Sequence, residues 1–289
     1  MTTKYPEADM NHFKAIFVSI FLAASAVGFL VSLVQLLQAG IESAWLGTVI
    51  ACAGPTLFFT RVFAFPPART SRNLYPMLMA GIVGTALAGL IGGVTGIAFW
   101  LAFGVGVVGC LGYVFWYSRF APPTGSVLRE GATLPDFQLQ ENGQTVSREA
   151  LTTQPALWIF FRGNWCPLCM AQIREVAAQY QALAQRGVQV LLVSPQPQGH
   201  TASLASRFQV PMRFLTDVGN AAAARLGILE RGGLPAGMQM LGYDTDVPRP
   251  SVFITDAHGQ VIYCDLTDNY RVRPEPQQFL AVLDRHAIV

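Results

Sequence analysis

Charge is what this sequence has least of. Only 12% of its 289 residues are Asp, Glu, Lys or Arg, and 52% are hydrophobic, whereas a soluble domain carries about a quarter charged residues. The shortage lies at one end. Residues 1–119 hold only Lys4, Lys14, Arg61, Arg69, Arg72, Arg119, Glu7, Asp9 and Glu42, while beyond Phe120 charges are spread evenly. Cysteine is also scarce. Cys52, Cys110, Cys166, Cys169 and Cys264 are an odd, sparse set, which excludes a secreted disulfide framework and fits a reducing compartment with one reactive pair. Basic runs, zinc-finger spacings and aromatic-basic stripes are absent and the formal net charge is +2, so no nucleic-acid partner is expected. No cofactor is expected either.

What the first 119 residues do contain is long apolar runs. Phe13–Leu37 carries no charge after Lys14. At about 1.5 Å per residue such a helix crosses a hydrocarbon core of about 30 Å. Ala44–Thr60 is a second run. Tyr75–Tyr117 has no charge at all and divides at Gly92-Gly93-Val94-Thr95-Gly96. Four spans follow, at 13–37, 44–60, 75–92 and 97–118. The first run is too long for a cleaved signal peptide and has no small-residue cleavage site.

Lys4, Lys14, Arg61, Arg69, Arg72, Arg119 and Arg129 all fall on one side if four helices cross. The positive-inside rule then places both termini in the cytoplasm, with the chain multi-pass in the inner membrane and the bilayer as its partner. No span carries an internal carboxylate, Arg or His, which favours an anchor over a transporter. Gly89 with Gly93 and Gly92 with Gly96 permit close helix approach, either within the chain or in a homodimer. Cys52 and Cys110 lie within spans two and four, as small packing residues or as an electron relay.

The second half alternates strand and helix. Phe120–Ser126 reads as a linker. Strands are expected at Asp136–Leu139, Ala156–Arg162, Val188–Ser194 and Met212–Leu215, with a hairpin of Ser251–Asp256 and Val261–Asp265. Helices are expected at Pro167–Arg186, Thr201–Phe208, Ala221–Leu226 and Pro276–Arg285. This is an α/β sandwich around a mixed sheet.

The decisive segment is Phe160-Phe161-Arg162-Gly163-Asn164-Trp165-Cys166-Pro167-Leu168-Cys169. Pro167 suits the first helical turn, so Cys166 falls at a helix N-terminus, where free backbone N–H groups and the helix dipole favour an anion. A thiol pKa lowered from ~8.5 to ~6–7 leaves it mostly thiolate at neutral pH. Arg162 could add positive charge, and Trp165 flank and shield the sulfur or simply pack. Cys169 is one turn on, close enough for a disulfide. Cys166 is then the attacking thiol and Cys169 the resolving thiol. Half a zinc site and two structural thiols are the other readings. Zinc would need further ligands, and only Cys264 and the scattered His12, His200, His258 and His286 remain. Cys264 itself reads as core.

Trp165-Cys166-Pro167-Leu168-Cys169 after an apolar strand resembles the thioredoxin superfamily. Leu134–Leu139, Leu192–Pro195, Phe214–Asp217 with Ala224–Ile228, and Pro250–Gly259 resemble its peroxiredoxin branch, the alkyl hydroperoxide reductase and thiol-specific antioxidant family. The resemblance covers residues 130–289. It implies a thioredoxin-like domain at 131–289, joined by a linker at 120–130 to an all-α transmembrane four-helix bundle at 1–119. Gly163 and Ile159 stand where peroxiredoxins carry Thr and Pro. Pro250 stands at the active-site Arg position, with Arg249 beside it as a substitute. A Pro before this strand is the thioredoxin pattern, which implies that Pro250 is cis.

The resemblance implies an antioxidant oxidoreductase that reduces peroxides through Cys166 and Cys169. A cytosolic thioredoxin-like or glutathione-like thiol would recharge it. A membrane-tethered thiol–disulfide oxidoreductase acting on protein disulfides is the alternative. A non-enzymatic membrane adaptor with a vestigial redox domain is the third.

Overall fold

The computed structural model describes residues 6–122 and 125–288. Lys4, used above for orientation, and Pro123 and Thr124 of the expected linker lie outside the described residues. The chain divides into two compact units, one built on Phe13–Pro66 and Thr70–Arg119, the other chiefly on Phe120–Val289.

The first unit is helical. It comprises α1 (Pro6–Ala39), α2 (Trp45–Ala64), α3 (Tyr75–Gly92) and α4 (Ile97–Tyr117), each long and apolar enough to cross a membrane. The expected spans are found with ends moved by a few residues, mainly in α1. Two stretches of α4, Ala102–Gly109 and Gly112–Tyr117, have the wider π-helical winding. Large apolar side chains face outward on all four helices, among them Ile20, Leu57, Leu90 and Trp100. In water such a surface would be a liability; in lipid it is the required exterior.

Close packing reaches the expected glycines in part: a Cβ on Gly92 would stand 2.6 Å from Ala44 Cβ, and one on Gly89 3.2 Å from the Phe99 ring. A Cβ on Gly81 would collide with the Gly106 carbonyl, and one on Gly47 with the Gly84 carbonyl. At Gly93 nothing lies within 4 Å. The glycines that let backbones touch are those on the α2–α3 and α3–α4 faces, where no side chain fits. The Thr85 hydroxyl is buried in α3 without a hydrogen-bond partner, whereas two other hydroxyls inside the bundle bond between helices. The Thr48 hydroxyl donates to the Ala98 carbonyl at 2.9 Å, and that of Thr56 to the Ser25 carbonyl at 2.9 Å. Cys52 and Cys110 are fully buried here.

The second unit is an α/β fold. In chain order it runs β1 (Gln138–Glu141), β2 (Gln144–Ser147), α5 (Arg148–Leu151), β3 (Ala156–Phe160), α6 (Pro167–Ala178), α7 (Tyr180–Gln185), β4 (Gln189–Ser194), α8 (Gln198–Ala205), β5 (Arg213–Thr216), α9 (Ala221–Leu226), β6 (Leu229–Glu230), β7 (Val247–Pro248), β8 (Ser251–Thr255), β9 (Val261–Asp265) and α10 (Pro276–Arg285). The main sheet has the order β2-β1-β5-β4-β3-β8-β9. Its centre, β3, β4 and β5, is parallel, and β8 runs antiparallel to β3 with Phe160 opposite Ser251.

Strands β3, β4 and β8 are buried at every position, which is why their sequences are continuous apolar runs. Trp158 stacks on Phe253 with centroids 5.6 Å apart, and its indole N–H donates to Thr255 Oγ1 at 3.0 Å. That bond satisfies the one polar atom this core aromatic carries into the sheet.

Several expectations are corrected. The helix expected over 167–186 is two, broken at Gln179, whose ψ of 7° departs from helical geometry. The hairpin β1–β2 was unforeseen, although Asn142 and Gly143, both at positive φ, are the residues a two-residue turn demands. The small ladder of β6 and β7 was also unforeseen. The helix expected at Thr201–Phe208 begins earlier, at Gln198 after Pro197. Pro250 is trans, since no peptide bond among the described residues is cis. The segment enters β8 extended, with the Arg249 N–H bonded to the Ile228 carbonyl at 2.7 Å, and trans is the lower-energy isomer.

Candidate active site

β3 delivers the chain to the site. Phe161 still donates to the Val193 carbonyl at 2.9 Å; then Arg162, Gly163 and Asn164 turn the backbone into α6. Gly163 has φ of 144°, a region open to glycine. The Asn164 N–H donates to Gln196 Oε1 at 2.8 Å, and its side-chain oxygen accepts from the Tyr243 hydroxyl. Pro167 takes the first helical position as expected, and Cys166 is the N-cap.

Both sulfurs are shielded. Cys166 is 2% exposed and Cys169 0%. The Cys166 and Cys169 side chains are hydrogen-bond partners. The Cys166 side chain makes no capping bond to the α6 backbone. The sulfur has turned toward its partner. Cys169 also receives the Arg162 backbone N–H and Arg273 Nη2 at 3.4 Å.

The two thiols are driven apart electrostatically. Burial pushes the Cys169 thiol up, but the Cys166 hydrogen bond, the Arg273 charge and the Arg162 N–H outweigh it and bring it down to about 5. Cys166 is raised, first by its hydrogen bond with Cys169 and then by burial. Opposite displacement is what two neighbouring acids with one shared charge must show.

Arg162 lies with its guanidinium 5.0 Å from the Trp165 ring, 6.0 Å from that of Tyr270, and bonded to the Gly233 carbonyl. Trp165 packs against Leu234, Tyr243 and Val247, and its indole nitrogen is buried without a hydrogen-bond partner. The segment linking β6 to β7 thus covers the turn that carries Cys166. Arg249 does not reach the pair. Its guanidinium pairs with Glu230 at 2.6 Å, donates to the Ala121 carbonyl and stacks on Phe120.

The second cation of the site is Arg273, a residue that no motif in the sequence analysis singles out. Its remaining bonds go to the Tyr270 carbonyl at 3.1 Å and Gln172 Oε1 at 2.8 Å. Gln172 sits on α6, three residues after Cys169, a spacing that marks it as a helix neighbour. Cys264 stands on β9 against the hydrophobic core, and all five cysteines are unbridged. Among the described residues no group of three His, Cys, Asp or Glu side chains could hold a metal.

A mixed sheet with a Cys-x-x-Cys pair at the start of the helix after its central strand defines a thioredoxin-fold dithiol domain. Residues 131–264 match the AhpC/TSA family, and this region is peroxiredoxin-like. Solved structures it resembles include peroxidoxin BcpB from Mycobacterium tuberculosis (19% identity, 55% of this chain and 97% of that one, TM-score 0.46). Another is a thiol peroxidase from Chromobacterium violaceum (17%, 57% and 91%, TM-score 0.48). A third is the reduced 2-Cys peroxiredoxin of Plasmodium vivax (15%, 55% and 82%, TM-score 0.45). No curated protein sequence matches the chain.

Proposed function

We propose that the chain is a membrane-anchored thiol peroxidase, with Cys166 the sulfur that attacks the peroxide and Cys169 the one that resolves it. The observation that carries this reading is the pair itself. Two sulfurs share a hydrogen bond at a helix start, within the segment that matches AhpC/TSA. Cys166 takes the outer oxygen of the peroxide and becomes sulfenic acid. Cys169 condenses with it to a disulfide, and an external thiol, thioredoxin-like or glutathione-like, returns the pair to the reduced state by exchange.

The alternative, action on protein disulfides, is supported by glycine at position 163 in place of Thr. Burial of both sulfurs favours the small oxidant. The charge-bearing ends of the four helices further support an orientation with both termini and the redox domain in the cytoplasm, the anchor lying in the inner membrane.

The test is peroxide consumption by the full chain in detergent micelles with a dithiol donor. Turnover is expected, and Cys166→Ser abolishes it. Cys169→Ser leaves a sulfenic acid at Cys166, visible by mass spectrometry after trapping with a dicarbonyl probe. A protein that leaves peroxide untouched yet reduces a protein disulfide overturns the reading in favour of the alternative.

A further inference from the structure

The α2–α3 connection does not pack as one piece. Pro67–Arg69 fold within the second unit, whereas Phe13–Pro66 and Thr70–Arg119 form the first. Ala68 is buried there. Pro66 and Pro67 precede it, each with φ fixed by its ring, so the chain enters this segment with little freedom. As sequence, Arg69 is one of several cations expected on one side of a bilayer. As structure, its guanidinium is fully engaged. Nε donates to the Arg273 carbonyl at 3.2 Å and Nη2 to the Pro274 carbonyl at 3.4 Å. Nη1 and Nη2 also grip the two carboxylate oxygens of Glu175 as a fork, the geometry that gives such pairs their directional hold.

These partners lie along one line. Cys169, Gln172 and Glu175 follow each other at intervals of three on α6, so they share a face of the helix. The segment before α10 runs beside that face. Arg273 takes the first two positions, with Nη2 at 3.4 Å from the Cys169 sulfur and Nη1 at 2.8 Å from Gln172 Oε1. Arg69 takes the third, and with it the main chain of Arg273 itself. The fork fixes the distance to α6, and the two carbonyl bonds fix where the Arg273 side chain sets out.

We propose that Arg69 is a positioning residue of the dithiol: it clamps the Arg273–Pro274 backbone to α6 and so holds the Arg273 guanidinium against the cysteine pair. The proposal rests on the pair being the reactive centre, whether its oxidant is a peroxide or a disulfide. It is indifferent to which sulfur ionises first, because the Arg273 charge favours the anion at both. Arg69 touches neither sulfur and acts only through Arg273.

The charged groups around this clamp are few. Arg69 faces Glu175 from α6 and Glu275 from the start of α10, the latter at 3.7 Å. Arg162 faces the pair from the β3–α6 turn, and Asp265, at the end of β9, feels the Arg273 charge.

The experiment is the pH profile of iodoacetamide alkylation of the reduced full chain, read by mass spectrometry on the tryptic peptide Gly163–Arg174, which holds Cys166 and Cys169 and no other cysteine. No peroxide is used, so the outcome is independent of the peroxidase reading. Arg273→Gln is expected to raise the midpoint of the profile by about one pH unit and Arg69→Gln by about half a unit. Arg69→Lys restores part of the shift, since an ammonium keeps the charge and loses the fork. The Arg69→Gln/Arg273→Gln double variant coincides with Arg273→Gln alone. Arg61→Gln removes an equal charge from the exposed end of α2 and stays at wild type. Should Arg273→Gln fail to fold, Glu175→Ala decides in its place. Loss of a carboxylate lowers the midpoint by charge alone, and raises it if the change acts by releasing Arg69. An Arg69→Gln profile that coincides with wild type overturns the proposal. So do additive shifts in the double variant, an equal shift from Arg61→Gln, or a lowered midpoint in Glu175→Ala.

Discussion

A Cβ on Gly163 would stand 2.6 Å from the indole nitrogen of Trp165. Glycine at one position and tryptophan at the other are a single steric choice. The peroxiredoxin-like Thr is missing at 163 because the indole occupies the space its side chain needs, and because φ of 144° is a region that a β-branched residue resists.

Gly163→Thr, which restores the family residue, is therefore expected to harm the protein. Backbone strain of about 1–3 kcal/mol adds to overpacking of similar size, and turnover falls with it. Trp165→Ala relieves the packing part alone. A double-mutant cycle on denaturant midpoints should return a favourable coupling of about 0.5–3 kcal/mol. Additive effects would mean that the indole and position 163 do not compete.

Reactivity should follow the anion of the pair. Cys169 is brought down to about 5, chiefly by the Cys166 bond and Arg273 acting against burial. Peroxide turnover and alkylation of the pair are thus expected to be level from neutral pH to about 6 and to fall about tenfold per unit below 5. The same shift has a sign in stability. A thiol with an ordinary value of 9.0 that is depressed in the fold stabilises the reduced protein above its unfolded value. That contribution is lost as pH falls through about 5. Turnover that instead rises and falls around pH 8–9 would show an unperturbed pair.

Arg249 and Arg273 should separate cleanly. Arg249→Met leaves the half-buried Glu230 without its ion-pair partner, a loss of up to about 3 kcal/mol, below the range for breaking a fully buried pair. Because its guanidinium points at Glu230, Ala121 and Phe120, the pH profile of thiol alkylation should stay at wild type while the melting temperature drops. A moved profile would place Arg249 at the dithiol after all.

These contrasts mark what could be read from the chain. The four apolar helices were legible because charge is missing from Lys14 to Glu42, from Glu42 to Arg61 and from Arg72 to Arg119, the composition that a helix in lipid requires. β3 and the Cys-Pro helix start were legible because burial and the first helical turn select residue types locally. Arg273 was not legible: it lies 104 residues from Cys169, and only the return of the chain after β9 brings it to the sulfur. Asn142-Gly143 was a signal on the page that went unused.

The membrane half makes a prediction that depends on charge alone. Arg61 in the last turn of α2 and Arg69 and Arg72 in the α2–α3 connection gather at one end, while the α1–α2 and α3–α4 connections carry neither Lys nor Arg. Moving cationic loops across a bilayer is disfavoured, so the α2–α3 connection should stay cytoplasmic and the other two should face outward. Ile41 and Val94 are exposed in the outward connections, and Ser71 is exposed in the cationic one. With cysteine placed at one of these positions at a time, a membrane-impermeant maleimide added to intact cells should label Ile41→Cys and Val94→Cys. Ser71→Cys should label only after the membrane is opened. Labelling of Ser71→Cys in intact cells would put the arginines outside, and with them the redox domain, where no cytosolic thiol could recharge Cys166 and Cys169.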